Sequence, residues 1–147
     1  MDSKKIQADF QFIANRVSSF ILETKDIDTS TNSAKIDFDF DYNIMKIEKT
    51  EKNYMGVIEF IVEVKAKIKN TILFKINLKM EGIFIGNPYV LTEETFTTML
   101  ELNGVATLSH IGRAYIASTT SISGINPPIR LPMINFNKLR ELKKKAD

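Results

Sequence analysis

The sequence contains no cysteine and no tryptophan, and His110 is the single histidine among its 147 residues. Without cysteine the protein can form neither a disulfide nor a thiolate metal site, and it has no thiol nucleophile. One histidine cannot build a multi-histidine metal site. Most metal and thiol chemistry is therefore excluded, and we expect no metal and no cofactor.

Two short motifs could still suggest chemistry. Asp37, Asp39 and Asp41 have the spacing of the first calcium-loop ligands, but Tyr42 stands where such a loop needs glycine, and strict alternation explains the three as one solvated strand face. Ser109 precedes His110, but sequence neighbours on a helix point in different directions. Neither motif therefore predicts a metal site or a catalytic site.

Long apolar runs are also missing. The longest uncharged, mainly apolar window covers residues 82–92, which is 11 residues and about half of a membrane-spanning helix. The N-terminus is polar and runs into mixed sequence instead of an apolar signal core. We expect no membrane insertion and a cytoplasmic location.

Outside the C-terminus, neither positive nor negative charge is in clear excess. The net charge is +2, but five cations and two carboxylates give residues 138–147 a charge of +3 and leave residues 1–137 at −1. A nucleic-acid-binding protein normally has a basic surface beyond a short tail. The sequence therefore predicts no nucleic-acid partner, and the basic tail is typical of the solvated side of a terminal helix.

Apolar residues make up 44% and charged residues 26% of the sequence, which is the balance of a folded globular domain. The length is that of one domain. The hydrophobic period divides this single domain, residues 1–147, into a sheet over about 8–87 and a helical part over about 91–146. The predicted class is α+β.

Three runs alternate between apolar and polar side chains, strictly in the first run and with Ile61 as the exception in the second, which is typical of half-buried strands. A parity change at Ile44-Met45 predicts a β-bulge, and a less regular run from Phe10 to Glu23 predicts a further strand with a kink near Arg16. Short polar connections require antiparallel pairing. The pattern therefore predicts a four-stranded antiparallel meander with helices on one face. The three alternating runs cover residues 35–44, 58–69 and 72–81.

Capping signals divide the helical part. Thr92 is a good N-cap, Asn103-Gly104 predicts a break, Gly124 suits a C-cap, and Asn135 can cap a last helix that packs through Leu139 and Leu142. The proline-rich residues 125–134 predict an extended crossover between the last two helices. Apolar spacing indicates that the long helix packs through Val105, Leu108, Ile111, Tyr115, Thr119 and Ile122.

Residues 124–136, Gly-Ile-Asn-Pro-Pro-Ile-Arg-Leu-Pro-Met-Ile-Asn-Phe, resemble the signature of the SecB export-chaperone family. In that family a long helix ends at glycine, a proline-containing crossover follows, and a Pro-x-x-Asn-Phe segment leads into the last helix. Residues 81–84, 103–113 and 12–20 are similar to the end of the family's fourth strand, its long-helix entry and its first strand. The resemblance spans about residues 8–145 in the same element order.

The resemblance implies a homo-oligomer, a dimer of dimers, that holds unfolded or precursor polypeptides in apolar grooves without ATP. A holdase needs no catalytic group, so we expect that the protein is not an enzyme. The client belongs either to protein export or to a toxin–antitoxin pair, where the client would be an antitoxin. Ten Phe and six Met without Trp are compatible with an adaptable apolar surface. We expect the groove where the end of the fourth strand meets the crossover, and it is predicted to contain Phe74, Phe84, Tyr89, Ile129, Leu131, Met133 and Phe136.

The positions that correspond to the family's SecA-docking surface are not acidic here. Val17, Ile21 and Asn77 occupy them, with Lys75 and Lys79 nearby, so the sequence does not favour SecA as a partner. The alternative function is a non-catalytic protein that binds a small apolar ligand in a pocket between the sheet and the long helix.

Overall fold

The structure, a computed structural model, describes residues 1–25 and 34–147, apart from the side chain of Ile6. Its elements lie in the order expected for a sheet followed by helices, after one additional N-terminal turn of helix. In sequence order they are α1 Ser3–Ile6, β1 Phe10–Thr24, β2 Lys35–Lys49, β3 Tyr54–Ile68, β4 Thr71–Gly86, α2 Glu93–Met99, a π-helical segment Leu100–Gly104, α3 Val105–Ile122 and α4 Phe136–Ala146.

The four strands form one antiparallel sheet in the order β1-β4-β3-β2. The predicted fold class is confirmed, with the helices on one face of this sheet. Strands β2, β3 and β4 form the consecutive meander, whereas β1 lies beside β4 at the opposite edge from β2. Alternation indicates which face of a strand is apolar, but it does not indicate which edge of the sheet the strand joins, so this pairing was not predicted.

Strand irregularities lie where the sequence predicts them. The β2–β3 register shifts between Ile44 and Lys46, so Met45 is the extra residue of the predicted bulge. Strand β1 shifts its register against β4 twice, on either side of Arg16. The bulge in β2 lets Ile47 join the partly buried apolar set that packs against the core.

The two central strands supply most of the core. Alternate residues of β3 from Tyr54 to Ala66 are buried beneath the helices, and so are those of β4 from Phe74 to Gly86. The opposite face of these strands is only half-buried. The apolar face therefore supports the helical layer, which has to cover it.

Helices α2 and α3 are continuous, and the predicted break at Asn103-Gly104 is wrong. Thr92 caps α2 by accepting from the Thr95 backbone, as predicted. The Val105 N–H then donates to the Leu100 carbonyl, five residues back, so the backbone passes through a π-turn without leaving the helix. Gly104 has helical φ and ψ, and a Cβ there would lie 3.4 Å from Phe84 Cε2. Gly104 therefore continues the helix, at a position where a Cβ would meet Phe84 at ordinary contact distance.

Helix α3 lies directly on the sheet through a face of large and small side chains. A Cβ at Gly82 of β4 would lie only 2.8 Å from Leu108 Cδ2, so the helix can approach this closely because position 82 has no side chain. The predicted stripe was partly wrong: Ile122 is exposed and Thr119 half-buried, because the stripe follows i, i+4 spacing and includes small residues. The buried residues of α3 are Val105, Leu108, Ser109, Gly112, Ile116 and Thr120. In the part of the protein that the structure describes, no helix is long and apolar enough to cross a membrane.

The last helix, α4, is attached by both apolar and polar contacts. Asn135 caps it as predicted. Leu139 packs against the core as predicted, whereas Leu142 is exposed and no residue of the helix is fully buried. Glu101 of the π-turn accepts from the Tyr42 hydroxyl at 2.8 Å and from Arg140 Nε at 3.0 Å. Burial, together with the Glu101 hydrogen bond, raises the pKa of Tyr42 above its ordinary range, so the hydroxyl stays a donor. This cluster joins β2, the π-turn and α4.

Replacing Tyr42 by Phe tests the contribution of this cluster. The substitution keeps the buried ring but removes one donor to a buried carboxylate, which should lower the free energy of unfolding by about 1–3 kcal/mol. Denaturant unfolding followed by circular dichroism measures the difference. Tyr89→Phe is the matched control, because Tyr89 is exposed; equal stability of the two variants would contradict the prediction.

Candidate functional site

The segment between α3 and α4, residues 123–135 (the crossover), is extended and fastened to the core. The side chains of Ile125, Ile129 and Leu131 are buried. Thr120, near the end of α3, accepts from the Ile129 N–H through its hydroxyl at 3.0 Å, and its carbonyl accepts from the Ile125 N–H at 3.1 Å. Gly124 has a φ of +84°, in the left-handed region expected of the predicted C-cap glycine. The crossover is thus held against α3 at several points.

An open cleft of about 540 Å³ lies between α3 and the crossover. Helix positions 110, 113, 114 and 117 follow i, i+3, i+4, i+7 spacing and so share one face. Leu131 contributes a buried side chain to the cleft, and Met133 contributes an exposed, flexible one. The lining consists of His110, Arg113, Ala114, Ala117, Arg130, Leu131 and Met133.

The cleft combines small apolar walls with cationic side chains. Ala114, Ala117 and Leu131 give it apolar surface, and Arg113 and Arg130 lie in its lining. The Arg113 Nη2 donates to the Met133 sulfur at 3.1 Å. A methionine has three rotatable side-chain bonds and adapts to different neighbours. Such a surface can bury an apolar side chain of a partner beside a positive charge, and its lining contains no arrangement for covalent chemistry.

The seven predicted groove residues do not form one exposed surface. Phe74, Phe84, Ile129 and Leu131 are at most 4% exposed. Phe84, for example, stacks on Phe10 with ring centroids 5.2 Å apart. The expectation that these four are open to a partner has to be corrected, because all four side chains belong to the buried core.

The other three predicted residues lie in different surroundings. Met133 is 75% exposed at the cleft, and Tyr89 is 87% exposed in the turn after β4. Tyr89 lines a separate surface depression with residues of the N-terminus and of the β2–β3 turn. Phe136 is half-buried at the start of α4. Only Leu131 and Met133 of the predicted set line the cleft, and peptide binding by the seven stays a prediction.

Four cleft residues on α3, together with Arg130, were missed by the sequence prediction. The signal was present in the spacing of His110, Arg113, Ala114 and Ala117, which places them on one helix face. The prediction relied on aromatic and large apolar residues, and alanine on a helix gives no such signal. The structure shows that this face of α3 forms one wall of the cleft, because the crossover packs beside it.

Of the three positions that correspond to the family's SecA-docking surface, Val17, Ile21 and Asn77, one does not lie on the outer face of the sheet. Val17 pairs with Met80 and packs against the core, so it lies on the helix-covered face and not on the outer face. Ile21 and Asn77 are paired across β1 and β4 and do lie on the outer face, where Ile21 is half exposed. The register shift between Val17 and Ser19 changes the parity of β1, and the positions of Val17 and Ile21 in the sequence do not show this change.

The space between the sheet and α3 is closely packed where the alternative function requires a pocket. A Cβ at Gly112 would lie 3.5 Å from Leu78 Cδ2 and 3.8 Å from Phe60 Cε2, which is ordinary contact distance. Phe60, Leu78 and Leu108 are fully buried. These contacts do not favour a ligand pocket at this point of the interface.

The comparisons with known proteins agree with this architecture. A helix-covered four-stranded sheet with an extended crossover before the last helix defines a class, the SecB-like α+β fold. The family model described as preprotein translocase subunit SecB matches residues 4–147. The chain belongs to the SecB family, and this membership supports a chaperone role. No match was found among the curated proteins.

Two solved structures are similar to this protein. One is a SecB-like chaperone of Mycobacterium tuberculosis in complex with a ChAD peptide from the HigA1 antitoxin; identity is 14%, the TM-score is 0.63, and the match covers 90% of this protein and 96% of that one. The other is a protein of unknown function from Streptococcus agalactiae, with 11% identity, a TM-score of 0.46 and coverage of 84% and 97%. The first likeness supports the fold.

The neighbours Leu131 and Met133 should respond differently to truncation. Leu131 is buried, so Leu131→Ala should lower the free energy of unfolding by about 2–5 kcal/mol. Met133 is exposed, so Met133→Ala should change it by less than about 0.5 kcal/mol. Denaturant titration of both variants measures this. Similar stabilities would contradict the placement of Leu131 in the core and Met133 on the surface.

Proposed function

We propose that the protein is an ATP-independent holdase that binds non-native polypeptide at the cleft between α3 and the crossover. A holdase requires apolar surface that rigid elements keep open, and it requires no catalytic group. Family membership supports the general role. The cleft, with its alanine wall and exposed methionine, supports its location on this protein.

The single observation on which this proposal depends is the exposed Met133 side chain in the cleft, next to the alanine face of α3. The buried side chains of Leu131 and Ile129 attach the crossover to the core, so the crossover keeps its place beside α3 when the cleft is empty. A cleft of about 540 Å³ has the size of ordinary binding pockets, enough for a few side chains of an extended segment. Longer clients would extend beyond the cleft over other apolar surface, including Tyr89.

The class of client remains a choice between two. Precursor polypeptides on their way to export fit the description of the family model. An antitoxin fits the M. tuberculosis relative, which was solved with an antitoxin peptide. Both classes consist of aggregation-prone polypeptides with exposed apolar segments, and both would be met in the cytoplasm, where we place this activity.

The holding activity can be tested with Met133→Ser. This variant should keep its melting temperature, because the side chain is exposed, and should lose most of the suppression of aggregation of a chemically unfolded client. Light scattering of the diluted client, with and without the chaperone and in the absence of nucleotide, measures the activity.

Met45→Ser is the matched control, because Met45 is another exposed methionine and lies at the β2 bulge. The control should hold the client as well as the original protein does. Full holding by Met133→Ser, or equal loss in both variants, would exclude the cleft as the client site. No suppression by the original protein would exclude the holdase.

We also propose that the protein assembles as a homotetramer, a dimer of dimers, through the β1 edge. The sheet has two edges, and they differ in chemistry. The β2 edge has charged residues along its length, including Asp37, Asp39 and Lys46, which discourage pairing with another strand. The β1 edge instead exposes Phe12, Ile13 and Ile21. A 15-residue edge strand with these three exposed apolar side chains favours association with a second copy.

Charges placed on this edge test the assembly. Multi-angle light scattering at micromolar concentration should give the mass of four subunits for the original protein and a smaller mass for the Ile13→Lys, Ile21→Lys double variant. Met45→Lys, on the β2 edge strand, should leave the mass unchanged. A monomeric mass for the original protein would contradict the proposal.

We infer weak binding to SecA. The outer-face positions Ile21, Asn77, Lys75 and Lys79 provide no acidic patch, and Lys75 Nζ lies 3.7 Å from Glu63, which leaves that carboxylate partly neutralised. A partner that recognises negative charge would gain little from this face.

A further inference from the structure

The charge of the cleft between α3 and the crossover is of one sign. Arg113 and Arg130 belong to its lining, and His110 lies beside them. The segment from residue 102 to residue 140 contains no aspartate and no glutamate, although carboxylates are frequent elsewhere in the sequence. The walls of the cleft therefore bring cations together without an internal counter-charge.

The two cleft arginines differ from the other two arginines of the protein. Arg16 binds Glu81 through two nitrogens, at 3.1 and 3.2 Å, and Arg140 binds Glu101 at 3.0 Å. Arg113 contacts the neutral sulfur of Met133. Among residues 1–25 and 34–147, no carboxylate forms an ion pair with Arg113 or Arg130. Both guanidinium groups thus keep their capacity to bind an acidic group.

We propose that the cleft selects extended apolar segments that contain a carboxylate group. This inference rests on the proposed function and specifies its client class. A guanidinium binds a carboxylate through paired N–H donors. The alanine wall of Ala114 and Ala117, together with the exposed Met133, offers apolar surface to the neighbouring side chain of the client. Like charge disfavours a segment with lysine or arginine at the same place.

The carboxylate has two sources in a polypeptide, an Asp or Glu side chain and the terminal carboxyl group. Both present the same planar pair of oxygens to an arginine. The open shape of the cleft, between exposed helix positions 110 and 114 and the exposed crossover position 130, allows an extended polypeptide to pass through it. We therefore assign the carboxylate to a side chain within the segment.

Four fluorescent peptides with one apolar core test this selection. Three have an amidated C-terminus and differ only at two flanking positions, which are Glu, Gln or Lys. The fourth is the Gln peptide with a free C-terminal carboxylate. Fluorescence anisotropy with the original protein should give the order Glu, then Gln, then Lys, with a Kd for Glu about tenfold lower than for Gln, and added salt should reduce that ratio.

Arginine variants locate the effect. Arg113→Gln and Arg130→Gln should each reduce the preference for the Glu peptide, measured as the ratio of the Kd values of the Gln and Glu peptides, at least threefold. Arg130→Lys keeps the charge without the paired donors and should retain an intermediate preference. Lys79→Gln, an exposed cation on the outer sheet face, is the control and should change neither value. Melting curves identify any variant that is not folded.

The outcomes separate this inference from the proposed function. Equal Kd values for the amidated Glu and Gln peptides would overturn the selection while leaving peptide binding intact. A preference that survives in both arginine variants would also overturn it, because the carboxylate would bind elsewhere. Tight binding of the free-terminus peptide alone would overturn the assignment to a side chain. No binding of any peptide would overturn the proposed function and, with it, this inference.

Discussion

The contact between the β3–β4 hairpin and the continuous helix from Glu93 to Ile122 is the constraint on which the rest of the structure depends. Three glycines of the hairpin, Gly56, Gly82 and Gly86, lie under the helical layer, and a Cβ on any of them would come within 3 Å of Leu100, Leu108 or Phe96. The helix can therefore lie directly on the sheet. This close packing removes the apolar strand face from water, which is the main favourable term in folding.

This contact also determines which side of α3 is available for binding. One face of the helix is used against the sheet, so another face, with Arg113, Ala114 and Ala117, is left for the crossover. Thr120 and the three buried crossover side chains then fix the second wall. Both walls of the cleft belong to the core on their other side, and between them Met133 has an exposed side chain with three rotatable bonds.

Polar contacts have a different role in the two halves of the helical layer. Beside α4, Glu101 satisfies Tyr42 and Arg140, and Lys143 Nζ lies 3.0 Å from Asp41, so the charges hold this helix on the sheet. Around the cleft the cations lack such partners among the described residues. Arg140 is part of the structural ion pairs of the protein because Glu101 lies within reach of its guanidinium group.

The sequence by itself determined the elements with strong local signals. Alternation predicted the strands and the bulge at Met45, and the side chains of Thr92 and Asn135 predicted two helix starts. The resemblance over residues 124–136 predicted the family. Each of these depends on neighbours within a few positions of the sequence, where periodicity and capping chemistry act directly.

Tertiary structure alone decided the features that depend on distant residues. Asn103-Gly104 suggested a helix break, but the backbone passes through a π-turn and Gly104 keeps helical φ and ψ. Phe84 and Leu131 suggested an exposed groove by hydrophobicity, but the helical layer and the crossover bury them. The pairing of β1 with β4 likewise brings together segments far apart in the sequence, and the cleft exists only because the crossover folds back on α3. An apolar residue is equally suited to a core and to a binding surface, so local sequence cannot distinguish the two locations. Whether the residue is buried depends on whether side chains from distant parts of the sequence cover it.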